Sequence, residues 1–128
     1  MDKQIDNTEL SFVTDENVIG KWLYVDFVQR VENFVAGETS WIGSEYINKI
    51  EFKPDGSVWI KVETEYFTPS NFTWTKGFVL NKYEGVCSVC EIKEINGSNY
   101  LFFEWKSGDY IYRSKEPWFY VFKREEEL

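Results

Sequence analysis

The side chains of this chain that could do chemistry are few. Its 128 residues include no histidine, and its two cysteines, Cys87 and Cys90, stand three apart in C-S-V-C. Without histidine, Ser-His-Asp and Cys-His catalysis and any His-ligated metal site are excluded. The C-x-x-C spacing belongs to dithiol redox sites, which need a helix start after a strand. Here it lies in G-V-C-S-V-C-E-I-K-E-I, a stretch of strand composition, where residues three apart face opposite sides. The pair reads as two ordinary small side chains, with a disulfide, metal or redox role as the alternative. One cysteine pair is too few ligands for zinc, and no D-x-D-x-D-G loop gathers oxygens for calcium. Phosphate-loop and dinucleotide motifs are absent as well. No cofactor is expected.

What remains is a set of polar groups on strands crowded with aromatic residues. Strand alternation places Asp26, Lys76, Glu104 and Arg113 on candidate inward faces. A buried charge is costly unless paired. One reading is therefore a structural ion pair, or side chains that reach solvent at a rim. The other is a polar end to an aromatic cavity, in which Arg113 or Lys76 holds a carboxylate or phosphate, Tyr24 or Tyr112 donates hydrogen bonds, and Trp74 and Trp105 form walls. An apolar cavity with a few convergent polar groups is the usual form of a ligand site. Acid–base catalysis would fall to Glu104 with Tyr112, and would need a carboxylate of raised pKa inside that cavity.

Strand signals dominate the elements that must position these groups. The chain holds six Trp, eight Tyr and eleven Phe, residues suited to a pleated surface. Strands are expected over 21–29, 44–53, 57–63, 72–80 (kinked at Gly77), 88–95, 100–106, 110–113 and 118–124. Pro54 to Gly56 and Asn96 to Asn99 are the hairpin turns, and 64–71 is a loop or bulged edge. No long 3.6-residue period occurs, so at most short helical turns are expected. Eight to nine short antiparallel strands joined by tight turns point to an all-β, up-and-down barrel rather than a sandwich, which uses more crossing connections. Trp22, Tyr24, Asp26 and Val28 share a face, so an inward Trp22 implies an inward Asp26. The last strands are aromatic on both faces, which calls for a second buried surface against the N-terminal arm, the 31–41 segment or another subunit.

The formal net charge is −8, which argues against nucleic-acid binding, where phosphate contacts want Lys or Arg. Most of it sits at the ends: residues 1–17 carry −4 and 125–127 carry −3. The expected organisation is an acidic, partly disordered arm over 1–16, a barrel over 17–124 and an acidic tail over 125–128. No apolar run is long enough to span a membrane, and the polar start lacks the apolar stretch of a signal peptide. The expected location is cytoplasmic.

The segment N-V-I-G-K-W, Asn17 to Trp22, resembles the G-x-W signature that opens lipocalin and fatty-acid-binding barrels. The resemblance implies that Trp22, two residues after Gly20, plugs one end of the barrel, and that a late-strand arginine packs across its ring. Arg113, in Y-I-Y-R, is the candidate. Further segments, F-T-W-T-K-G (72–77), E-I-K-E-I (91–95), L-F-F-E-W-K-S-G-D-Y (101–110) and P-W-F-Y-V-F-K (117–123), resemble a small lipocalin-like (calycin-type) domain of Gram-positive bacteria. That domain is found alone or as an extension of membrane sensor metallopeptidases, and it implies a fold without an established activity. The leading expectation is a barrel that binds a small apolar or aromatic ligand without catalysis. The alternatives are a filled barrel serving as an interaction domain, with a homodimer as one form, and a His-free enzyme of the phenolic-acid-decarboxylase type.

Overall fold

A computed structural model describes residues 6–43, 46–63, 65–68, 72–106 and 116–125. Among these residues nine antiparallel strands form one sheet: β1 (Gly20–Val28), β2 (Lys49–Phe52), β3 (Val58–Val62), β4 (Glu65–Phe67), β5 (Phe72–Thr75), β6 (Phe78–Asn81), β7 (Val86–Ile95), β8 (Ser98–Trp105) and β9 (Trp118–Arg124). Their lateral order is β4-β3-β2-β1-β9-β8-β7-β6-β5. Strands adjacent in sequence pair with each other except β4 and β5, which are the two edges of the sheet, and β9 returns to pair with β1, as in a meander wrapped around an axis. The result is a strongly curled half-barrel. Among the described residues the only helical element is one 3-10 turn, Val31–Asn33, and no helix is long and apolar enough to cross a membrane.

Two strands depart from their expected form. The stretch 72–80 is a hairpin, not one kinked strand. Lys76 and Gly77 make the turn, with Thr75 paired to Phe78 and Gly77 at φ +86°. A side chain at Gly77 would resist that left-handed conformation, so the glycine reverses the chain where alternation alone suggests continuation. The second strand, expected over 44–53, is strand among the described residues only over β2, Lys49–Phe52, while the stretch 64–71, expected as a loop or bulged edge, holds the short edge strand β4. The curl brings the two edges together at one point. Ser57 bridges Thr73, and the N–H of Trp74 donates to the Gly56 carbonyl at 3.0 Å. The P-D-G turn between β2 and β3 therefore also closes the seam against β5. The expected strand over 110–113 lies outside the described residues.

Both faces of the sheet are buried. Trp22, Ile47, Ile50, Phe52, Val58, Ile60, Trp74, Leu101, Phe103, Tyr120 and Phe122 fill the concave side. Val28, Phe34, Tyr100, Phe102 and Val121 form a second cluster on the convex side, capped by residues 31–36. This accounts for the two-sided aromatic strands.

The N-terminal arm also packs on the barrel from Asp6 onward. Val13 donates its N–H to Thr75 Oγ1 at 2.7 Å and accepts the Lys76 N–H at 2.8 Å. Phe12 meets Trp74 edge to face at 5.1 Å.

Candidate functional site

Trp22, near the start of β1, is fully buried in the concave core. Its indole N–H donates to the Val18 carbonyl at 2.9 Å. The arginine across its ring is Arg124, with the guanidinium 4.1 Å from the ring centroid. The same guanidinium donates to the carbonyls of Ile19 at 3.2 Å and Asn17. Gly20 makes this approach possible: a Cβ there would lie 3.3 Å from Arg124 Nη1, on a backbone at φ +126°. The G-x-W segment thus works as a unit, its glycine admitting the arginine that covers its tryptophan. Arg113 and Tyr112 lie outside the described residues.

Beside this Trp22–Arg124 pair opens a cleft of about 490 Å³. Val18, Phe52, Trp74, Phe78, Cys90 and Ile92 give it apolar and aromatic walls, and Asp15, Lys76, Glu91, Glu94, Asn99 and Arg124 form its polar lining. Trp74 is fixed in it by an indole N–H bond to the Lys53 carbonyl at 2.8 Å and an edge contact with Phe52 at 5.9 Å. The strand register orders the polar groups. Glu94 faces Asn99 across β7 and β8, and Tyr100 faces Lys123 across β8 and β9, so Asn99 and Arg124 come next in line. Residues 90 and 92, 101 and 103, and 120 and 122 pack on the concave side; Glu94, Asn99 and Arg124 continue those rows to the mouth.

The other half of the barrel is filled with rings. Tyr120 lies 4.8 Å from Phe27, 5.4 Å from Trp105 and 6.1 Å from Tyr24, and its hydroxyl accepts the N–H groups of Tyr46 and Ile47. Tyr24 and Trp105 therefore stand on the concave side as expected, but as packing, away from the cleft.

Three polar residues expected to face inward do not. The ladder of β1 on β9 slips between Tyr24 and Asp26, so Asp26 pairs with Val121 of the convex cluster. There its buried carboxylate accepts the N–H groups of Phe27 (2.8 Å), Ser40 (3.0 Å) and Trp41 (3.0 Å) and the Ser40 hydroxyl (3.0 Å). A bulge, invisible to simple alternation, turned it outward. Glu104 shares the convex face with Tyr100 and Phe102; it accepts the Val89 N–H at 3.0 Å and lies 3.8 Å from Lys106. Lys76 is exposed in the β5–β6 turn and reaches only the rim of the cleft. Of the expected ligand-binding residues, Trp74 and Lys76 belong to the cleft.

The two cysteines are free thiols on opposite faces. Cys90 is buried in the concave core, and burial pushes its thiol well above the ordinary value. Cys87 is also raised, by burial and then by the charges of Asp6 and Glu104, against the opposing pull of Lys106. Neither is poised as a nucleophile, because the thiolate is the reactive form. Cys90 instead gives the cleft a small wall residue.

No family model, curated protein or solved structure matches this chain. The site is therefore read from its own geometry. Sequence reasoning missed Arg124, Glu94, Asn99 and Cys90 as a set. Arg124 ends the terminal aromatic strand, and the period of two on that strand already aligns it with Tyr120 and Phe122.

Proposed function

We propose that this protein is a lipocalin-like barrel that binds a small ligand with an apolar or aromatic body, without catalysis, in the cleft between the Trp22–Arg124 pair and the β5–β6 hairpin. The observation that carries this reading is the cleft itself. About 490 Å³ of space falls within the range of small-molecule sites, which combine apolar walls with a few polar groups at fixed positions. Trp74 in the wall supplies a reporter. Titration with small aromatic amphiphiles is expected to change tryptophan emission and raise the unfolding temperature. Cys90→Leu, which fills the wall, is expected to abolish both effects while leaving the circular dichroism of the free protein unchanged. Binding that survives both Cys90→Leu and Ile92→Trp would place the ligand elsewhere.

A second reading, a contact domain that self-associates, is favoured by the opposite rim. Ile42 is 100% exposed beside the Phe27–Trp41–Trp118 ring cluster. Sedimentation velocity separates it: a dimer lost on Ile42→Asp supports this reading, and a monomer at high concentration removes it.

A further inference from the structure

We infer that the occupant of the cleft carries a cationic, amine-type head on its apolar or aromatic body; this rests on the binding reading above and assigns the charge of the ligand. Two independent features of the walls point the same way. The first is the balance of charge at the mouth. Two carboxylates, Asp15 and Glu94, line it together with two cations, Lys76 and Arg124; the Glu91 side chain alternates to the other face, 3.8 Å from Lys93. The Arg124 guanidinium is engaged on the Trp22 ring and on two backbone carbonyls, so its donors point to those carbonyls. Lys76 sits on the exposed turn. Glu94, exposed as well, follows Cys90 and Ile92 along the concave row to the mouth of the cleft.

The second feature is the walls themselves. Phe52, Trp74 and Phe78 present aromatic rings, whose faces carry negative potential. Rings and carboxylate together attract an ammonium group and repel a carboxylate or phosphate. The apolar body would lie against Trp74, Phe52 and Ile92, with the head toward Glu94. This reverses the sequence-based expectation of an anion held by Lys76 or Arg113.

The test uses three probes with one body: 3-phenylpropylamine, 3-phenylpropanol and 3-phenylpropanoate, titrated calorimetrically at low and high salt. The amine is expected to bind about fivefold more tightly than the alcohol at low salt, with the carboxylate weakest and the preference shrinking as salt rises. Glu94→Gln is expected to remove the amine's advantage over the alcohol, with a circular dichroism spectrum and unfolding midpoint like those of the wild type showing that the variant is folded. Equal binding of all three, tighter binding of the carboxylate, or an amine preference that persists in Glu94→Gln overturns the charge assignment and leaves the cleft as a binding site. Failure of all three probes to bind, with the protein folded, overturns the cleft reading as well.

Discussion

At Asp26 a carboxylate only 1% exposed takes four hydrogen bonds, three of them from backbone N–H groups. Two of those donors belong to Ser40 and Trp41, so the residue staples the long 29–48 connection to β1. Removing the acceptor leaves buried donors unsatisfied, a loss larger than that of an ordinary hydrogen bond. Asp26→Ala is expected to cost about 3 kcal/mol, read as a lower urea midpoint with an unchanged slope. Asp26→Asn keeps one oxygen acceptor and is expected to lose less. The order of the two variants is the check: equal losses would mean that packing, not the carboxylate, holds the connection.

At the level of elements, glycines set where strands turn and where they close. Gly97, at φ +82°, sits in the Asn96–Gly97 turn between β7 and β8, with open space where a Cβ would go. Gly97→Ala is therefore a purely conformational change, expected to cost about 1 kcal/mol. Gly20 has both a disfavoured φ and the Arg124 guanidinium 3.3 Å from its would-be Cβ. Gly20→Ala is expected to cost more than Gly97→Ala in the same denaturation series, and to change Trp22 fluorescence, because it displaces the group stacked on that ring. The Lys76–Gly77 turn is the element most consequential for the site. It splits one apparent strand into β5 and β6 and so creates the lip of the cleft.

Across the whole molecule, the acidic N-terminal arm is part of the barrel wall. It crosses β5 near the seam and is anchored at its far end by Asp6, which bonds the Cys87 N–H at 2.9 Å and Lys106 at 2.8 Å. Partial burial raises the Asp6 pKa, but those two partners outweigh it and hold the carboxyl below its ordinary value of 3.8. The sign follows from linkage: the native state favours the ionised form, so the contribution is complete above 3.8 and is lost as pH falls through the lower native value. Asp6→Asn is expected to be less stable than the wild type at neutral pH, with the gap narrowing only in strong acid. A gap independent of pH would show that the ionised carboxylate contributes nothing to arm docking.

The sequence by itself determined the fold class, the antiparallel meander, the P-D-G and N-G turns and the two-sided burial of the last strands. Each of these rests on local chemistry: alternation, turn glycines and aromatic residues on successive strand positions. Tertiary structure alone decided where the polar groups point. One bulge after Tyr24 is enough to turn Asp26 away from the interior, since a shift of a single residue reverses the face of everything beyond it, and one hairpin at Gly77 leaves Lys76 in an exposed turn. The partner of Trp22 was likewise a matter of register, because β9 pairs with β1 and so brings Arg124, at the far end of the chain, over Gly20. The cleft exists for the same reason. Its walls come from strands distant in sequence, and only the curl of the sheet brings Trp74, Cys90, Glu94 and Arg124 to one mouth.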